Sequence, residues 1–102
     1  MKYQLVLQWP ASSVDDYDAL ISVEDALIEG LPDDAEVDGH DAGSGQANIF
    51  ILTNNPHTIF HLARAILEAC DGWADARIAF RDLERDEYTV LWPIDLKKFE
   101  VL

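Results

Sequence analysis

Lysine and arginine are scarce in this chain. Seven of them face twenty Asp and Glu, which gives a formal net charge of −13 at pH 7. None lies between Tyr3 and Ala63, a span that holds eleven of the acids. Phosphate contacts need Lys and Arg, so nucleic acid is excluded as a partner of the usual kind, and so is an anionic membrane. Apart from Lys2, the basic residues Arg64, Arg77, Arg81, Arg85, Lys97 and Lys98 all fall in the second half. One part of the folded surface is therefore expected to be strongly negative. Its complement is a cationic partner or a divalent cation.

Cysteine is nearly missing as well. Cys70 is the only one, so no intrachain disulfide forms, as suits a reducing cytoplasm. Long apolar runs are also lacking. The N-terminal MKYQLVLQWP is too short in apolar length for a signal-peptide core and reads as a strand. No run reaches the roughly 18 residues that a membrane-spanning helix needs. Internal repeats and low-complexity linkers are absent too. The 102 residues suit one domain with a single two-layer core. With 49% hydrophobic residues the chain can fold alone, which the charge by itself would oppose.

The residues that are present alternate between strand and helix patterns. Tyr3, Leu5, Leu7 and Trp9 point one way and Gln4, Val6 and Gln8 the other, a half-buried strand that Pro10 ends. A helix follows, with Ser13 as cap and Asp16 in the capping-box position. Its stripe is Tyr17, Leu20, Ile21, Leu27 and Ile28, with Val23 and Glu24 as exceptions, and Gly30 is expected as a left-handed C-terminal stop before Pro32. Ala35–Asp41 is a weak, acidic edge strand, Ala42-Gly43-Ser44-Gly45 a turn, and Gln46–Thr53 a strong central strand. Asn55-Pro56 opens a second helix whose stripe is Ile59, Phe60, Ala63, Ile66, Leu67 and Cys70. Asp71-Gly72 ends it, and two strands follow at Ala76–Leu83 and Tyr88–Trp92. The tail from Ile94 to Leu102 is amphipathic.

This order, β-α-β-β-α-β plus a C-terminal strand, predicts an α+β, ferredoxin-like split βαβ sandwich. Two helices would lie on one face of a mainly antiparallel sheet. The other face stays open unless a partner, a second copy forming a homodimer, or the tail covers it.

Polar residues of chemical use gather in Glu36–Leu52. Asp38 and His40 are two apart on a strand and should share a face, with Asp41 and Ser44 close by. A Ser-His-Asp triad would need a third group behind the imidazole, and no nucleophile-elbow motif accompanies it. Gly43-Ser44-Gly45 could cradle an anion, but it lacks the lysine of a phosphate loop and needs no more explanation than a hairpin turn. Ser44 and Asn48 are the candidate ligand-binding pair. His57 and His61, four apart on the second helix, could offer two metal ligands, with His40, Asp41 or another acid as the third. No Glu follows His57 to make a metalloprotease motif. Two histidines on a wet helix face are more often plain polar surface. Arg77 and Arg81 share a strand face, with Gln4 and Gln8 on what should be the neighbouring strand. Trp9, Trp73, Tyr88 and Trp92 read as core or as interface anchors. Cys70 reads as a small buried apolar residue.

The stretch DGHDAGSGQANIFILTNNP, Asp38 to Pro56, resembles a family of small uncharacterised bacterial proteins with a DGHDxGSGxxNIFI-type motif. The resemblance covers under a fifth of the chain and implies a ferredoxin-like α+β domain, with no activity attached. The broader fold is similar to ligand-binding regulatory domains and small dimeric monooxygenases. Three functions remain. The residues favour a non-enzymatic acidic protein-binding module, an inhibitor or immunity-type partner of a basic protein, using Asp33, Asp34, Glu36, Asp38, His40 and Asp41. The alternatives are a small-ligand or metal-binding regulatory domain and a small dimeric enzyme. No cofactor is implied.

Overall fold

The alternating N-terminal segment becomes the middle of the sheet. The computed structural model describes residues 1–10, 17–43, 45–70 and 73–101. Strand β1 (Tyr3–Pro10) leads to helix α1 (Tyr17–Gly30), β2 (Ala35–Gly43), β3 (Gln46–Thr53), α2 (Pro56–Ala69), β4 (Arg77–Asp82) and β5 (Thr89–Trp92). The strands form one antiparallel sheet in the order β2-β3-β1-β4-β5. The fold is thus α+β, two helices and a five-stranded sheet. Among the described residues no helix is long and apolar enough to cross a membrane. Ser13, Asp16, Ser44, Asp71 and Gly72, to which the sequence assigns caps, a turn and a helix stop, lie outside the described residues.

Alternation in β1 sorts the two faces. Leu5 lies opposite Ile51 and Phe80, Leu7 opposite Ile49 and Ile78, and Trp9 opposite Ala47. These side chains join Leu20 and Leu27 of α1 and Ile59, Ala63 and Leu67 of α2 in one core cluster. Both helices therefore pack on the same sheet face. Each such aliphatic side chain contributes about 1.5–3 kcal/mol when fully buried, an upper figure because the unfolded chain already hides some surface.

Three local expectations are corrected. Gly30 ends α1 without a left-handed φ, so it is not the expected stop. Its small size serves packing instead: a Cβ there would sit 2.7 Å from Ile66 Cδ1 on α2. Cys70 is exposed, because α2 ends at Ala69 and the stripe does not continue past it. Its Sγ lies 3.7 Å from the Leu67 carbonyl. Pro56 does stand at the first turn of α2 and is buried, but Asn55 gives no side-chain cap.

The second sheet face is not left bare. Val6 and Gln8 are buried although they point away from the helices. The described part of the tail after β5 forms no strand and returns across this face, where the Glu100 carbonyl accepts hydrogen bonds from Gln8 Nε2 (3.0 Å) and Gln46 Nε2 (3.1 Å). The Phe99 ring meets that of Tyr88 at a tilt, with centroids 5.0 Å apart.

Candidate functional site

Strand β2 is an edge strand, and it carries most of the acids singled out from the sequence. Glu36, Asp38 and Asp41 are exposed along it, and Asp33 and Asp34 are exposed in the turn before it. Asn55 Nδ2 donates to Asp34 Oδ2 at 3.3 Å, tying that turn to the start of α2. Acidic side chains on a sheet edge also discourage unwanted strand pairing.

A bulge changes which residues share a face. Val37 pairs with Ile51, yet Gly39 pairs with Phe50, so Asp38 is an extra residue with no opposite number. Gly39 makes this possible with φ +132°, a region that side chains with a Cβ rarely adopt. After the bulge the pleat is out of step by one. His40 then falls opposite Ile49 on the helix side, and it does not share a face with the acids of β2 as a regular strand would require. Its Nδ1 lies 3.0 Å from Glu24 Oε2 on α1, with 22% and 12% of the two side chains accessible. Glu24, an exception in an apolar helix stripe, thus has a specific partner.

Asp41 falls opposite Asn48, Asn48 opposite Gln8 and Gln8 opposite Arg77, a polar row across four strands. Gln8 and Asn48 are both 1% exposed. Gln8 Nε2 donates to Asn48 Oδ1 (3.0 Å) and Gln46 Oε1 (3.1 Å) as well as to the Glu100 carbonyl. Asn48, a candidate ligand residue, is therefore engaged internally beside the tail. Four register positions away, Arg81 Nε donates to Gln4 Oε1 at 3.0 Å and its Nη1 to the Arg85 carbonyl at 2.9 Å. The arginine face of β4 does meet Gln4 and Gln8, as the alternation predicts. The burial of Gln8 was not legible, because a half-buried and a fully buried glutamine have the same local pattern.

The histidines separate. His57 is exposed at the start of α2, with its ring 5.2 Å from Phe80. It lines a cleft of about 310 Å³ with Tyr3, Asn54, Asn55, Thr58 and Phe80. His61 is exposed one turn later, against Phe60. His40 pairs with Ile49, four residues, or about 13 Å, along β3 from Thr53. No group of three His, Cys, Asp or Glu suited to a metal forms among the described residues.

Arg64 lies outside the apolar stripe of α2, yet it is half-buried. Its guanidinium sits 4.6 Å from the Trp73 ring centroid and 5.0 Å from that of Trp92, while Nε donates to Glu68 Oε1 at 3.1 Å. Such a cation over aromatic faces contributes about 0.5–2 kcal/mol. The spacing of Arg64 from either tryptophan gave no local signal of it.

Comparison of the chain with protein families, curated proteins and solved structures finds no match.

Proposed function

We propose that this chain is a non-catalytic acidic binding module, an inhibitor or immunity-type partner of a basic protein. The carrying observation is where the acids lie. The span without Lys or Arg supplies α1, β2 and β3, and five of its acids, Asp33, Asp34, Glu36, Asp38 and Asp41, stand exposed on or beside the edge strand β2. Arg77 and Arg81 do not border this edge, because they belong to β4, beyond β1. A field of one sign on an accessible edge speeds encounter with a cationic partner and rejects anionic ones.

The scaffold we infer is the ferredoxin-like split βαβ sandwich. Strands one to four follow the order β2-β3-β1-β4, and β5 extends the sheet beyond β4. Both helices pack against one face. This arrangement packs the core behind the edge and leaves β2 as the outermost strand.

The test is capture from native lysate with the full chain, at about 50 mM and about 300 mM salt, where screening lengths differ more than twofold. A stoichiometric basic protein, retained at low salt and lost with the double variant Glu36→Lys/Asp41→Lys, is the expected result. Recovery of no basic protein, or equal recovery by the variant, overturns the reading.

One observation favours a small-ligand role instead. The cleft at Tyr3, His57 and Phe80 joins an aromatic wall to the first turn of α2. A metabolite screen by thermal shift tests it, with His57→Ala as control. A hit that survives that substitution argues against the cleft.

A further inference from the structure

A second feature lies beside the acidic edge, and it is apolar. Between the last turn of α1 and the start of β2 runs a cleft of about 270 Å³, lined by Leu27, Ile28, Leu31, Ala35, Glu36 and Val37. Its volume falls just below the range of about 300–1,000 Å³ typical of pockets for drug-sized ligands, and it suits a single anchoring side chain. Ile28 forms its outer wall and is 57% exposed, among the largest exposures of any hydrophobic side chain in the described residues. A helix residue on the apolar stripe is normally covered, so this wall is apolar surface that the described residues leave uncovered.

The rim carries charge of one sign. Glu36 lines the cleft, Glu29 follows Ile28 directly, and Asp33 stands in the turn that joins α1 to β2; all three are exposed. No Lys or Arg occurs from residue 4 to residue 63, so no nearby cation of the same segment competes for them. An apolar slot with an acidic rim is complementary to an apolar side chain flanked by basic ones.

We infer that this cleft is the anchor point of the acidic edge and that its occupant is a cationic partner segment in which one aliphatic or aromatic side chain lies between lysines or arginines. The inference rests on the binding-module reading and narrows it. Charge along β2 supplies steering and rejection of anionic partners. The cleft supplies the buried contact that slows dissociation, since interface energy concentrates in a few desolvated anchors.

Two labelled seven-residue peptides test this with the whole protein, one alternating Lys with Leu and one alternating Lys with Ser. Fluorescence anisotropy at about 50 mM and about 300 mM salt measures both. The Leu peptide is expected to bind about tenfold more tightly, as one buried anchor allows. Ile28→Ser, at an exposed position that the fold tolerates, should weaken the Leu peptide severalfold and leave the Ser peptide unchanged. Amide chemical-shift changes should centre on Leu27, Leu31 and Val37. If both peptides bind equally and lose affinity with salt, the acidic edge stands and the anchor is overturned. If the Leu peptide binds more tightly but ignores Ile28→Ser and shifts other amides, the cleft is again overturned. If neither peptide binds at low salt, both readings fall.

Discussion

Two residues decide more of this structure than their size suggests. The carboxamide of Gln8 is buried, and its Nε2 approaches three oxygens, on Gln46, Asn48 and Glu100. An NH₂ group has two hydrogens, so the three acceptors share them. Gln8→Leu keeps most of the volume but withdraws this donor from the buried Asn48 Oδ1. An oxygen left short of a partner in the interior costs about 1–3 kcal/mol. Urea unfolding should register that loss, and a Gln8→Leu variant as stable as its parent would show the amide row to be dispensable. Gly39 is decisive for a different reason. A Cβ built there meets nothing within 4 Å, so space is not the constraint. The backbone is, because φ is +132°. Gly39→Ala is expected to lose about 1–3 kcal/mol through strain alone. The same substitution should disturb the Glu24–His40 contact, because the bulge aims His40 at α1. Loss of stability with His40 ring resonances unmoved in an NMR spectrum would mean the bulge does not position that ring.

At the scale of elements, the tail behaves as a strap over the polar sheet face. Its described polar anchor on that face is one carbonyl with two donors, supported by the tilted Phe99–Tyr88 ring pair. Deleting residues 97–102 removes all three contacts and leaves the helix-side core intact. The truncated protein should stay folded and lose about 2–3 kcal/mol, from two hydrogen bonds and one ring pair. Side-chain amide exchange at Gln8 and Asn48 should accelerate on truncation; unchanged exchange would mean that the strap shields neither group. The strap also marks the limit of what a sequence reveals. Strand β3 was legible to its ends because Ile49-Phe50-Ile51-Leu52 is a continuous apolar run between a turn and Asn55-Pro56. Helix α2 was legible from its stripe and its proline. The contact between Gln8 and Glu100 spans 92 positions and leaves no periodic trace. The bulge was hidden for a related reason: a glycine in an acidic strand reads as weak propensity, not as a change of face. Simple alternation therefore gives Asp38 and His40 one face, although the pleat shifts between them. Gly30 carried a signal that fitted two causes, a helix stop and a close helix approach, and only the position of Ile66 separates them.

On the scale of the whole molecule, the governing quantity is charge against size. The principal extents are 32 × 29 × 22 Å. The Debye length is about 30 Å at 0.01 M salt and about 8 Å at 0.15 M. At low salt every acid on α1 and β2 therefore feels every other, and at physiological salt only near neighbours interact. With a net charge of −13, repulsion within the folded state should fall as salt rises. Unfolding stability is expected to increase by about 1–2 kcal/mol between these concentrations, a shift of roughly 4–16 °C in Tm for a domain of this length. Sodium chloride titration in a calorimeter measures it. The acidic edge should be responsible for much of the effect. Glu36→Gln/Asp38→Asn/Asp41→Asn should raise stability at low salt and flatten the salt dependence. The same triple variant should also lose its affinity for cationic peptides, because it removes three of the carboxylates that would attract them. A variant that is less stable at low salt, with an unchanged salt slope, would show that these carboxylates are held by contacts within the fold. Their availability to a partner would then lose its physical basis.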